Sequence, residues 1–296
     1  MKIGIDLGGS HIAIGVIKND KIIVEKQEKR LLSKEKRNIE QSIEDYIIQN
    51  VKELEKKYEI TEIGIAIPGT VKNELIIKSV NLGVSNYDLV RKLKSKIKLP
   101  IKIRNDAKCA ALAECKIGAL KDYDRSLFLT LGTGIGGAVI INGKLLDTGN
   151  LPGCEFGHMI IEKNGLECNC GKKGCFEKYA SMKAYKNKLR DALGLDEKTR
   201  GEELLDKLRK NPNDKTLNKV TDEFIEYLSI GISNLVNIFE PEAVGIGGSF
   251  VFFSDVLLDK LKKNILEKNY LFNSRNDIII VPAVLKNDAG IIGSIL

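Results

Sequence analysis

One histidine and three cysteines form the densest group of metal-ligand side chains in this sequence. His158 is followed by Cys168, Cys170 and Cys175, in the spacing His-x9-Cys-x-Cys-x4-Cys. One imidazole and three thiolates suit a tetrahedral Zn²⁺ ion, and glycines among the ligands allow the tight turns that would wrap it. Because four protein ligands close the coordination sphere, the sequence predicts a structural zinc site. Reduced thiols without a metal are the alternative.

Two glycine-rich loops are candidates for binding phosphate. One is Gly8-Gly9, just after a short strand that carries Asp6, and the other spans residues 132–137. Glycine lets backbone N–H groups approach phosphate oxygens because it has no Cβ. Each loop leads into a strand and lacks a Gly-Lys-Ser/Thr ending, which excludes the dinucleotide fingerprint and the P-loop. Asp6 is placed to hold Mg²⁺, directly or through water.

Both loops belong to a pattern that occurs twice along the chain. Residues 5–21 and residues 129–144 each read as strand, glycine loop, strand, polar turn and lysine. Such a duplication predicts two related domains that face each other, each with a glycine loop at the cleft between them. The alternative is two ordinary hairpins with glycines at bulges.

Apolar periodicity predicts the elements that position these loops. The first half contains, in order, a helix over 39–54, a strand over 63–67 that ends at Pro68-Gly69, a helix over about 87–97, a strand over 100–104 and an alanine-rich helix over 107–116. Asn38 and Gln41 form a capping-box pattern before the first helix. Asn142-Gly143 predicts a two-residue hairpin turn. The remainder is mainly helical, over 216–239, over 255–268 and after residue 288, with strands at 243–246 and 278–281.

Bulk composition is typical of a globular protein. The 296 residues, 43% of them hydrophobic and 29% charged, are enough for two domains. Lysine and glutamate alternate in stretches such as 52–57, so the net charge of +7 indicates a solvated face, and we expect no nucleic-acid partner. The N-terminus turns acidic at Asp6 and every apolar run is too short for a bilayer, so we expect no export signal, no membrane partner and a cytoplasmic location. Cysteines in that reducing compartment bind metal more often than they form disulfides.

The chain resembles, over nearly its whole length, the ROK family, whose kinases and repressors share an actin-like fold. The zinc signature at 155–159 and 168–177 is the most specific part of the resemblance. Four other segments match in the family's order: Asp6-Leu7-Gly8-Gly9-Ser10, 105–107 with Glu114, 131–137 and 245–249.

This resemblance implies a two-domain α/β protein with the actin-like, ribonuclease H-like sugar kinase fold and an interdomain cleft. A small domain would comprise residues 1–117 and a C-terminal helix at about 286–296, and a large domain would comprise residues 118–285. The implied activity is ATP- and Mg²⁺-dependent transfer of the γ-phosphate to the 6-hydroxyl of a hexose. The implied assembly is a homodimer.

The resemblance also assigns site residues. The hexose is expected at Gly69, Asn81, Asn105, Asp106, Glu155, His158 and Glu177. The nucleotide and Mg²⁺ are expected at Asp6, Gly8, Gly9, Ser10, His11, Gly132, Thr133, Gly134, Gly247 and Gly248. Asp106 would be the general base, and His158 would bind zinc through one ring nitrogen and a sugar hydroxyl through the other. As alternatives, Asp106 is only a helix N-cap, a role that Asn105 fills equally well, and Glu177 is a surface carboxylate or a favourable charge at a helix N-terminus.

Three departures from the family pattern leave the identity of the sugar acceptor undetermined. His11 stands where lysine is common, residues 82–86 lack a tryptophan often found there, and Cys154 stands where glycine is usual. Glucose is the preferred acceptor, because Glu155, His158 and Glu177 are the family's pyranose-binding set. Fructose, mannose, allose and N-acetylhexosamines are the alternatives.

Three other classes of function compete with a kinase. A ROK-type repressor would sense a sugar, but the phosphate loop begins at Asp6, which we expect to leave no room for a helix-turn-helix extension. A zinc-containing nucleic-acid module would need a platform of basic and aromatic residues around the zinc site, and only Phe176 and Tyr179 accompany the lysines there. An actin-like ATPase without a small substrate would hydrolyse ATP regardless of sugar.

Overall fold

The computed structural model describes residues 1–9, 11–30, 38–146, 154–268, 271 and 278–296. The chain divides into two compact units. Unit 1 comprises Met1–Lys121, Gly143–Gly153 and Asn287–Leu296, and unit 2 comprises Asp122–Asn142 and Cys154–Lys286.

A five-stranded sheet forms the centre of unit 1. Its strands are β1 (Lys2–Leu7), β2 (His11–Lys18), β3 (Ile22–Arg30), β4 (Glu62–Ile67) and β8 (Ile101–Asn105), and their order in the sheet is β3-β2-β1-β4-β8. β1 pairs antiparallel with β2 and parallel with β4, and β4 pairs parallel with β8. The isoleucine-rich strands β1, β2 and β4 are buried along most of their length, which is typical of central strands.

Helices cover this sheet and a small second sheet accompanies it. The helices of unit 1 are α1 (Ile39–Glu55), α2 (Leu89–Lys94), α3 (Asp106–Ile117) and α9 (Asp288–Ser294). α1 buries Ile43, Ile47, Val51 and Leu54, a stripe with helical spacing. The small sheet consists of β5 (Thr70–Lys72), β6 (Leu75–Ser79) and β7 (Val84–Tyr87).

Two local predictions in unit 1 are wrong. The predicted helix over 87–97 is shorter, because Tyr87 ends β7 and the Asp88 carboxylate caps α2 by accepting the Arg91 N–H at 3.0 Å. The predicted capping box is absent, since the Asn38 side chain makes no cap bond and Gln41 Nε2 donates to Asp45 Oδ1 at 2.8 Å.

The central sheet of unit 2 repeats the plan of the first sheet. The strands β9 (Arg125–Leu131), β10 (Ile135–Ile141), β12 (Ala243–Gly248) and β13 (Ile279–Pro282) lie in the order β10-β9-β12-β13. β9 is antiparallel to β10 and parallel to β12, and β12 is parallel to β13. These are the order and directions of β2-β1-β4-β8, so the predicted duplication is confirmed. Asn142 and Gly143, with φ of 52° and 70°, form the predicted turn before the two-residue strand β11 (Lys144–Leu145).

Five helices build the rest of unit 2. They are α4 (Glu177–Ala180), α5 (Met182–Leu193), α6 (Gly201–Lys210), α7 (Lys215–Phe239) and α8 (Ser254–Glu267), with short 3-10 helices at Phe156–His158 and Ser249–Phe253. α7 and α8 match the predicted helices to within one residue at each end, whereas α4, α5 and α6 were not predicted. Tyr185 of α5 stacks on Phe224 of α7 with ring centres 4.4 Å apart, which fixes α5 against the core. Within the described residues, no helix is both long and apolar enough to cross a membrane.

Candidate functional site

Two aspartates stand at the carboxyl edge of the unit 1 sheet. Asp6 lies near the end of β1, and Asp106 is the first residue of α3, directly after β8. Burial, together with the negative charge of Asp106, raises the pKa of the Asp6 carboxyl to about 7, and the Lys26 ammonium acts in the opposite direction. The two carboxylates therefore act on each other at the edge where parallel strands end, which is where α/β sheets bind ligands. Paired, desolvated carboxylate oxygens fit the hard-oxygen ligands that Mg²⁺ prefers.

Asn105 organises the backbone around Asp106. Its side-chain oxygen accepts the Lys108 N–H at 3.2 Å and so caps α3. Its side-chain nitrogen donates to the Gly69 carbonyl at 3.0 Å, which ties the Pro68-Gly69 turn to the start of the helix. Asn105 is thus the N-cap, and Asp106, the first residue of α3, accepts the Ala107 N–H through its Oδ1 at 2.8 Å.

The first glycine loop lies against Asn81, one of the residues expected at the hexose. The Gly8 N–H donates to the His11 carbonyl at 2.8 Å, which closes the turn between β1 and β2. A Cβ on Gly9 would lie 3.0 Å from the Asn81 carbonyl oxygen, so the two segments are in contact. Ser10 lies outside the described residues. Unit 1 therefore brings together Gly9 with Asn81, Asn105 with Gly69, and Asp6 with Asp106.

The four predicted zinc ligands form one cluster in unit 2. The ligand atoms of His158, Cys168, Cys170 and Cys175 all lie within 4.8 Å of one another. His158 Nδ1 is 3.7 Å from Cys168 Sγ, and the Sγ atoms of Cys170 and Cys175 are 3.6 Å apart. Zinc–sulfur bonds of about 2.3 Å place ligand atoms about 3.8 Å apart along the edges of a tetrahedron. The donor set and its spacing fit a zinc ion.

Burial and mutual proximity oppose proton loss at two of the three thiols. Burial raises the pKa of Cys168, and burial together with the neighbouring thiols raises the pKa of Cys175 to about 12. The Lys172 N–H lowers the pKa of Cys170. Thiols with raised pKa values stay protonated at neutral pH unless a cation replaces the protons.

Glu177 connects this cluster to the second glycine loop. It is the first residue of α4, and its Oε1 lies 3.5 Å from Cys168 Sγ. A Cβ on Gly134 would lie 2.5 Å from Glu177 Oε2, so a side chain at position 134 would displace this carboxylate. Glu155 is exposed, and its carbonyl accepts the His158 N–H at 3.0 Å. Unit 2 therefore gathers three predicted sugar residues, the metal ligands and a predicted phosphate loop.

The third glycine segment lies beside the second. Gly248 is the last residue of β12, pairs with Leu131 at the end of β9, and has a φ of 71° that favours glycine. The Lys183 N–H of α5 donates to the Gly132 carbonyl at 3.0 Å. The sequence reasoning passed over α5 and its Lys186, although Ser181 is a recognisable N-cap whose hydroxyl accepts the Ala184 N–H.

Comparison with known proteins identifies the family. Residues 2–296 match the ROK family. The chain is 30% identical to a glucokinase of Thermotoga maritima, covering 99% of this chain and 95% of that one, and 30% identical to the xylose repressor of Bacillus subtilis, covering 98% and 75%. A ROK family glucokinase from Streptomyces griseus, solved with glucose and AMPPNP, superposes with a TM-score of 0.83 at 26% identity, covering 99% and 97%. A ROK hexokinase from Thermus thermophilus superposes with a TM-score of 0.79 at 27% identity, covering 99% and 95%. The predicted actin-like α/β fold is confirmed, and the chain belongs to the ROK family.

Proposed function

We propose that this protein transfers the γ-phosphate of ATP to the 6-hydroxyl of a hexose, with glucose as the preferred acceptor and Asp106 as the general base. The similarity to glucokinases and to a kinase solved with glucose and AMPPNP supports the enzyme class, an ATP-dependent sugar kinase. The observation that carries the assignment is the position of Asp106. Its carboxylate stands at the carboxyl edge of the sheet beside Asp6, while Asn105 provides the helix cap.

In this proposal, Asp106 accepts the proton of the 6-hydroxyl as that oxygen attacks the γ-phosphorus. Asn105 orients the start of α3, so the base keeps its direction. The remaining sugar hydroxyls need paired donors and acceptors, which carboxylates, amides and an imidazole supply. We assign that role to Gly69, Asn81, Asn105, Glu155, His158 and Glu177.

His158 links the metal cluster to the sugar. Its Nδ1 faces Cys168 Sγ, so Nδ1 is the nitrogen that would bind zinc. Nε2 then carries the proton and can donate to a sugar hydroxyl. Zinc, when bound, would hold the turns around the three cysteines and fix the imidazole in one tautomer.

The nucleotide is assigned to the glycine segments at Gly8-Gly9, 132–134 and Gly247-Gly248. The N–H groups of the first two segments would bind phosphate oxygens, while residues 245–249 resemble the family's adenosine loop. Asp6 would hold Mg²⁺. Mg²⁺ supplies charge neutralisation on the phosphates when it is bound. We also retain as proposals the division into domains 1–117 with 286–296 and 118–285, a homodimer, and a cytoplasmic location, all from the family resemblance.

A sugar sensor is the second candidate, because the xylose repressor of Bacillus subtilis is also 30% identical to the chain, which covers 75% of that protein. A coupled ADP-release assay over a panel of hexoses, with zinc-loaded protein and MgATP, separates the two. We expect ADP release that depends on a hexose, fastest with glucose. Sugar binding without any ADP release would refute the kinase and favour the sensor. ADP release at the same rate without sugar would indicate an ATPase.

A further inference from the structure

Lys186 lies where two parallel strands of unit 2 end. β9 and β12 run side by side, and Gly248, the last residue of β12, pairs with Leu131, the last residue of β9. Gly132 follows β9, and Ser249 follows β12. Lys186 is half-buried on α5, and its Nζ donates to Ser249 Oγ at 3.3 Å, directly after Gly248. Its ammonium is therefore at the edge of the sheet where α/β proteins bind ligands.

α5 is connected to both glycine segments. The Lys183 N–H donates to the carbonyl of Gly132 at 3.0 Å. Ser249 Oγ, which accepts from Lys186, donates in turn to the Leu131 carbonyl at 3.5 Å. One helix thus fixes the ammonium relative to the two turns that the proposed function assigns to the nucleotide.

The Lys186 ammonium has no counter-ion among the residues that the structure describes. Across these ranges, no carboxylate oxygen lies within 4.0 Å of its Nζ, and the centre of the Phe253 ring is 5.7 Å away. Burial lowers the pKa of Lys186, the Arg190 guanidinium lowers it further, and Glu202, which is paired with Arg200 at 3.0 Å, opposes them weakly.

Lys188, one half-turn along the same helix, shows the ordinary arrangement. Its Nζ donates to Glu223 at 2.6 Å. A partly desolvated cation without an anion destabilises the ligand-free protein, and Ser249 occupies only one of the three ammonium donors. Such a group is typical of a site where a ligand supplies the negative charge.

We propose that Lys186 binds a phosphate oxygen of the nucleotide. This proposal rests on the proposed kinase function and adds a nucleotide-binding residue to it. The interaction is with the phosphate chain, because an unpaired ammonium gains most from an anionic oxygen and little from the neutral adenosine group.

Calorimetric titration of the zinc-loaded protein with ADP and with adenosine tests this assignment. For Lys186→Met we expect ADP affinity to fall about tenfold or more, as for loss of a charge-assisted hydrogen bond, and adenosine affinity to change less than about twofold. Lys186→Arg keeps the charge and should restore most of the ADP affinity. Lys188→Met, the matched control on the same helix, should bind ADP as the wild type does.

The same variants separate a binding role from a packing role. With MgATP, Lys186→Met should raise the KM for ATP and leave the KM for the hexose unchanged, with no fall in Tm. Unchanged ADP affinity would overturn the proposal, and so would equal losses for ADP and adenosine accompanied by a lower Tm. If the wild type binds no adenine nucleotide at all, the kinase function itself is refuted. If the wild type and Lys186→Met bind ADP equally well, only the assignment of Lys186 is refuted.

Discussion

Replacing Asp6 by asparagine should stabilise the folded protein without Mg²⁺, by an amount that depends on pH. The pKa of this carboxyl is raised from 3.8 to about 7, so between these values the folded chain holds a proton that the unfolded chain has released. Stability conferred by that proton is therefore present at low pH and lost as pH rises through about 7. A shift of about 3 units corresponds to at most about 4 kcal/mol, since each unit is worth about 1.4 kcal/mol.

Urea unfolding of the zinc-loaded protein at pH 4 to pH 8, in buffers without added Mg²⁺, measures this effect. We expect the free energy of unfolding of Asp6→Asn to exceed that of the wild type by an amount that grows with pH and levels off above about 7. Asp259→Asn, an exposed aspartate on α8, is the control and should show no such trend. A difference between Asp6→Asn and wild type that is constant with pH, or that shrinks as pH rises, would refute the argument from burial and from Asp106.

Three further predictions concern unit 2. Gly134→Ala should push the Glu177 carboxylate aside, because the new Cβ would lie 2.5 Å from Oε2. We expect a several-fold higher KM for the hexose, measured by steady-state kinetics, and little change in Tm, measured by thermal unfolding. Cys175→Ser should release the zinc, measured by metal analysis, and lower Tm, whereas Cys115→Ser, outside the cluster, should keep it. Cys154 has a φ of 61°, a left-handed backbone conformation that strains any residue with a Cβ, so Cys154→Gly should raise the free energy of unfolding by up to about 1 kcal/mol. Cys154→Ala keeps the Cβ and should give no gain.

Periodicity and turn chemistry were sufficient to predict the elements that carry the site. The alternation of apolar residues around Gly8-Gly9 and around 132–137 predicted both hairpins, and the structure shows that they belong to two sheets of the same strand order. The Asn105-Asp106 pair predicted the start of α3, because the short amide side chain is a strong N-cap. The metal cluster was predicted from the types and spacing of its residues, since successive ligands two to ten residues apart along the chain can reach a common ion.

The elements and site residues that the sequence did not predict depend on contacts between segments far apart along the chain. The three strands β5, β6 and β7 are short and lack clear alternation, so only their pairing defines them. α5 and α6 are strongly amphipathic, yet the significance of Lys186 follows from Ser249, 63 residues away along the chain. The predicted capping box failed because Gln41 pairs with Asp45, one turn along α1, in preference to the helix end.

The most direct test of the account is Asp106→Asn, assayed for sugar binding and for turnover on the same preparation. An amide keeps the size of the side chain but cannot accept the hydroxyl proton, so we expect hexose binding close to that of the wild type and a kcat lower by about three orders of magnitude or more. Asp259→Asn should leave both unchanged. Near-normal turnover by Asp106→Asn would contradict the assignment of the general base and with it the phosphate-transfer mechanism.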